Sequence, residues 1–371
     1  MVNTQNLHEL INRYEQNYHT VVNSAENDEI FKWRAVKHFR DVWFSDAAKN
    51  MTFSALFNEA RKESFVLIDN SQVAPTNGIV KMAELCPDEV ESLFRDTLFA
   101  ETKSIDEVHN NMEAFLEGIE KVRQRTMPQN WKYKQDRHAA SCYLSFYSPE
   151  THFIYRYSEA EEFAKYIEFG KDIGSGENFN LAYYYEMAEI VVEALKEHPS
   201  LIELYKALIS GDDNYYQDES LHLLAFDLMY CCRTYNFYSG LSHAQKKDSI
   251  KAFKLEQLRE EERKIKEAKI LVLQDEIHEI KVALEAFDDI SLIGVEITQA
   301  QYGKGVVVGQ NKNMVKIQFA DVEKTFKLGN KFPGRPRFEN DEEIVDAFTK
   351  YEELAEKLKA KENELSRIAL A

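Results

Sequence analysis

Residues 132–158, KYKQDRHAASCYLSFYSPETHFIYRYS, interleave aromatic rings with cations. Rings of this kind stack on unpaired nucleobases, contributing about 1–3 kcal/mol per base, while Lys and Arg hold the phosphates. The candidate binding set is Trp131, Tyr133, Lys134, Arg137, Arg156 and Tyr157. SCYLSFY and HFIYRYS alternate in character with period two, and Ser148, Pro149 and Glu150 between them favour a turn, which predicts a β-hairpin. In its second strand Phe153, Tyr155 and Tyr157 share one face, and His152, Ile154 and Arg156 the other. One face must be buried, so the competing expectation is the wall of a core, with Phe153 and Tyr155 packed under helices.

Other combinations offer less. Asp275, Glu279 and Lys281 spell a metal-dependent nuclease only on paper, because they fall on the solvated side of a coiled-coil repeat. Arg13 and His19 have the Arg-x5-His spacing of HEPN ribonucleases, where His acts as acid or base and Arg steadies a phosphate. Ribonuclease activity is therefore carried as an alternative. The Tyr-rich YYYEMAE and NYYQDES read as packing, and no Ser/His/Asp arrangement stands out. No catalytic residue, metal or cofactor is assigned, and the expectation is a protein that is not an enzyme.

Charge narrows the partners. The formal net charge is -18 with a pI near 5.1, which excludes a chain that coats nucleic acid through bulk electrostatics; any such contact must be local. Cys86, Cys142, Cys231 and Cys232 form neither a CxxC pair nor a Cys/His ligand series, and are expected as reduced, mostly buried thiols. MVNTQNLHELINRYEQ lacks a cationic stretch followed by an apolar core, and no apolar run reaches the roughly 18 residues that span a bilayer. A cytoplasmic location without membrane contact is expected.

The elements that must position these residues read mainly as helices over 1–240. Ser104 with Glu107 and Ser158 with Glu161 have capping-box spacing, predicting helices over 104–126 and 158–168. Gly170, Gly174 and Gly176 mark a loop before helices over 178–197, 199–209 and 218–238. Residues 246–290 then turn rich in Lys, Glu, Leu and Ile, with Ile270, Leu273, Ile277, Ile280, Leu284 and Phe287 spaced as a coiled-coil seam. A second amphipathic arm over 341–371 carries Ile344, Phe348, Tyr351, Ala355, Leu358, Leu365 and Ile368. The arms are predicted to pair antiparallel with each other or with those of a second copy.

Between them, 291–340 reads as strands over 294–299, 304–309, 313–319 and 322–328, with Gly303, Gly305 and Gly309 allowing the bends of a small barrel. Lys304, Lys312, Lys316, Lys324, Lys327, Lys331, Arg335 and Arg337 outnumber Glu296, Asp321, Glu323 and Glu339 there, in contrast to the acidic whole. Lys304, Lys316, Lys327, Lys331, Arg335 and Arg337 join the candidate nucleic-acid-binding set.

YGKGVVVGQNKNMVKIQF followed by KTFKLGNKF resembles the small SH3-like (Tudor-like) barrels at the ends of bacterial helicases, which bind protein or nucleic acid. YEQNYHTVVNSAENDEIFKWRAVKHFRDVWF, with WKYKQDRHAASCYLSFYSPETHFIYRYS, is similar to the N-terminal region of relatives of the McrBC-type restriction specificity subunit. The matching positions are Trp33, Ala35, Val36, His38, Phe39, Trp43, Gln135, Asp136, Arg137, Ala140, Tyr143, Leu144, Tyr155 and Tyr157. In that family the region precedes a nucleotide-driven motor and chooses the DNA. This chain departs from it by lacking the Gly-x4-Gly-Lys-Ser/Thr loop that cradles nucleotide phosphates. The resemblance thus implies a recognition or adaptor component of a bacterial defence system, its motor or nuclease on another chain. The alternative is a protein-binding scaffold dimerised through its arms. The expected fold is α+β and mainly helical: an N-terminal helical domain with a hairpin, then a coiled-coil arm, an SH3-like barrel and a returning helix.

Overall fold

In the computed structural model, residues 2–24, 27–287, 290–328, 335–338 and 341–370 are described. The chain divides into two units, Met1–Leu255 and Glu256–Ala371. It is mainly helical with one small antiparallel sheet, as the composition and periodicity predict. Among the described residues no helix is long and apolar enough to cross a membrane.

The first unit contains α1 (Thr4–Val22), α2 (Phe31–Trp43), α3 (Phe53–Ala60), α4 (Phe65–Ile68), α5 (Pro75–Leu85), α6 (Pro87–Ser92) and α7 (Ile105–Thr126). It continues through α8 (Arg137–Tyr147), α9 (Tyr157–Tyr166), α10 (Leu181–Lys196), α11 (Pro199–Ser210) and α12 (His222–Thr234). Local chemistry sets several starts. Pro75, Pro87 and Pro199 open their helices where a missing N–H costs nothing. Ser104 caps α7 by accepting from the Glu107 amide at 3.2 Å, and the Glu107 carboxylate reaches back to the Lys103 amide at 2.7 Å. The core is strongly aromatic: Trp33, Phe39, Phe57, Phe94, Phe115 and Tyr143 are all buried, and the Trp33 indole donates to the Tyr205 hydroxyl at 2.7 Å.

Two sequence-based expectations fail here. Residues 141–147 are not a strand but part of α8, capped by Asp136, which accepts the Ala139 amide at 2.8 Å. From Ala139 to Phe146 every residue of this helix is buried, including Ser141 and Ser145. A helix enclosed on all sides loses its 3.6-residue polar stripe, and its small serines then imitate strand alternation. Residues 152–156 run as an extended strap without a strand partner among the described residues, pinned by the Ser141 hydroxyl to the Tyr155 backbone amide at 2.9 Å. The Ser158 cap fails as well, because α9 begins one residue earlier with Arg156 at its cap position.

The second unit holds most of α13 (Lys246–Glu285), then β1 (Glu296–Gln299), β2 (Gly303–Asn311), β3 (Met314–Phe319), β4 (Glu323–Lys327) and α14 (Asp341–Leu370). The strands form a meander in chain order, and Arg337 pairs with Thr298 at the outer edge of β1. Ile297, Val307, Val315, Ile317 and Phe319 point to one side, where Phe348 of α14 completes their cluster. The two arms pair antiparallel within one chain: Lys269 meets Glu364 at 3.3 Å, Lys361 meets Glu276 at 2.6 Å, and the Phe287 and Tyr351 rings lie 5.7 Å apart.

Candidate nucleic-acid interface

An open cleft of about 640 Å³ lies in the first unit where three segments meet. The α4–α5 connection supplies Leu67, Asp69 and Pro75; the approach to α8 supplies Lys134, Asp136, Arg137 and His138; the strap and the start of α9 supply Tyr155, Arg156 and Tyr157. Tyr230 of α12 completes the lining. A second cleft of similar size, bordered by Phe99, Leu144, Tyr147 and His152, carries only Glu101 and Lys103 as formal charges. Charge rather than volume therefore singles out the first.

The approach to α8 is fixed by Gln135, which is buried. Its amide donates to the Pro75 and Tyr133 carbonyls at 2.9 and 2.8 Å, and its oxygen accepts from the Tyr143 hydroxyl at 2.9 Å. Gly78 lets the turn settle on α5, since a Cβ there would sit 2.6 Å from that of Tyr133. His138 ties two walls together, its ring nitrogens facing the Tyr155 carbonyl at 2.8 Å and the Leu67 carbonyl at 3.1 Å.

The three cations differ in commitment. Lys134 is exposed, with the Glu120 carboxylate within electrostatic reach. Arg137 grips Glu113 at 2.5 and 3.0 Å through Nε and Nη2, and its guanidinium lies 4.9 Å from the Phe179 ring centre, leaving Nη1 donors over. Arg156 approaches Glu159 only to 3.5 Å. The two cleft acids are turned to structural work: Asp136 caps α8, and Asp69 accepts the Thr76 amide at 2.9 Å and its hydroxyl at 2.7 Å. Burial pushes the Tyr155 phenol up, and a hydrogen bond to Glu161 pushes the Tyr157 phenol up.

The Cys142 sulfur lies 3.8 Å from His138 Nδ1, a pairing that could be mistaken for a nucleophile and its base. Burial pushes the thiol well up, against the thiolate, and the imidazole is engaged with backbone carbonyls. This pair holds the fold. Among the described residues no group of three or more His, Cys, Asp and Glu is placed to hold a metal ion.

Of the sequence candidates, Lys134, Arg137, Arg156 and Tyr157 converge on the cleft. Trp131 and Tyr133 do not line it; Trp131 is 60% exposed, and Tyr133 turns onto α5, its hydroxyl accepting from Asn77 at 3.3 Å. In the other unit Lys304, Lys316 and Lys327 share the outer sheet face by register, with Lys316 paired to Glu323 and Lys327 to Glu352. Arg337 lies at the β1 edge, Arg335 is half-buried, and Lys331 lies outside the described residues. Arg13 of the ribonuclease spacing is occupied by Glu9 and the carbonyls of Phe237 and Ser239, all at 2.7 Å. Its six-residue separation from His19 turns the two side chains about 120° apart on α1. Sequence reasoning missed Asp69, His138 and Tyr230. No protein-family profile, curated protein or solved structure matches the chain.

Proposed function

We propose that the chain is a nucleic-acid recognition or adaptor protein, with DNA the expected target, whose first unit contacts its ligand through this cleft. The observation that carries the reading is the convergence of Lys134, Arg137 and Arg156 beside Tyr155, Tyr157 and Tyr230 in one concavity of an otherwise acidic chain. Placement in a restriction-type defence system, with the motor or nuclease on another chain, rests on the N-terminal resemblance. Three cations imply that log affinity falls with log salt at a slope of about -2. Fluorescence anisotropy with labelled single-stranded, duplex and modified DNA at low and moderate salt tests the reading, and no binding to any probe removes it.

The outer sheet face favours a second reading, a protein-binding scaffold. Val306, Val308 and Met314 are 38%, 47% and 37% exposed, close to Lys304 and Lys316. Retrieval of one dominant protein partner that survives nuclease treatment, and is lost on Val306→Glu, favours the scaffold.

A further inference from the structure

The cleft does not end at Tyr157. Tyr157 and Ser158 also line a neighbouring depression of about 370 Å³, whose walls carry Lys165, Arg233 and Lys246 against Glu161 and Glu162. Those acids have partners: Glu162 meets Arg233 at 3.0 Å, and Glu161 meets Lys246 at 3.7 Å. Beneath this shared wall lies Glu159, which is buried. One of its oxygens faces Arg156 at 3.5 Å and the other faces Arg233 at 3.6 Å. A single sequestered carboxylate thus lies between two arginines, one in each depression. Between them the Tyr157 ring is 44% exposed, whereas Tyr155 behind it is 5% exposed.

A ring at such a ridge serves an unpaired base and is wasted on a duplex, whose base faces are already stacked. Cations recessed on both sides of the ring suit a backbone that passes through. We propose that the two depressions form one groove for an extended single strand of nucleic acid, with a base on Tyr157 and flanking phosphates at Arg156 and Arg233. This deepens, and rests on, the reading of the cleft as a nucleic-acid site.

The test titrates a fluorescein-labelled oligothymidylate of roughly 12 nucleotides and a blunt duplex of the same length into the full chain. The expected result is at least about tenfold tighter binding of the single strand, an approximately tenfold loss with Tyr157→Ala, and near-normal binding with Tyr157→Phe. Arg233→Gln weakens the single strand and lowers its salt slope by about 0.7. Equal affinity for the duplex, or single-strand binding indifferent to both Tyr157→Ala and Arg233→Gln while Arg156→Gln weakens it, overturns the groove and leaves the cleft reading standing. No binding of either probe overturns both.

Discussion

The guanidinium of Arg156 lies over the ring of Tyr230 at 5.6 Å from its centre, joining the strap to α12 inside the cleft. The same ring has the Lys32 ammonium 4.3 Å from its centre, so the cleft lining rests on the buried polar network of the core. Cation–π contacts contribute about 0.5–2 kcal/mol depending on exposure. Tyr230→Leu is expected to lower stability by about 1–2 kcal/mol and to weaken DNA binding as Arg156 loses its seat, while Tyr230→Phe retains both. Urea unfolding and anisotropy on the same samples check this; a Tyr230→Leu protein with unchanged affinity would show that the ring does not position Arg156.

Lys32 is fully buried and ion-paired with Glu29 and, at 2.6 Å, with Asp227, which also accepts from Tyr14. Burial is the largest single influence and pulls the ammonium down, but the charges of Asp227 and Glu29, the Cys231 side chain and the hydrogen bond to Asp227 together outweigh it and hold the group above its ordinary value. Removing one partner leaves an uncompensated charge in the core. Lys32→Met or Asp227→Asn alone is expected to cost about 3–5 kcal/mol, and the double variant much less than their sum. Additive losses in a double-mutant cycle would refute the coupling.

His152 is pulled down to about 4, chiefly by burial, with His222 acting in the same direction and Glu150 against it. The unfolded chain binds this proton more readily, so the group's stabilisation is complete above its ordinary value near 6.5. It is lost as pH falls toward about 4. The loss amounts to at most about 3 kcal/mol. His152→Gln, which can keep a hydrogen bond to Tyr185, flattens the dependence between those values; His198 and His222, also lowered by burial, leave a smaller slope. An unaltered slope in the variant would place the acid sensitivity elsewhere.

Much of the architecture was legible where one side of an element meets water. The strands of the second unit fall within three residues of their expected positions because Val315, Ile317 and Phe319 alternate with Met314, Lys316 and Gln318. The start of α7 was legible from Ser104 and Glu107. The same logic failed at 139–146, where no side faces solvent and periodicity carries no information. The Asp136 cap was the cue available there. Within the cleft, Lys134, Arg137, Arg156 and Tyr157 were visible because they lie close in sequence. Asp69, Tyr230 and Arg233 arrive through packing of distant segments, which no local pattern encodes.

Binding of nucleic acid in the cleft is proposed from geometry and charge. The most direct measurement is ultraviolet crosslinking of a bromouracil-substituted single strand to the full chain, with mass-spectrometric mapping of the modified peptides. Crosslinks are expected on the peptides bearing Tyr157 or Tyr230, suppressed by Lys134→Gln with Arg156→Gln. Crosslinks confined to the peptides of residues 291–340, and indifferent to those substitutions, would contradict it.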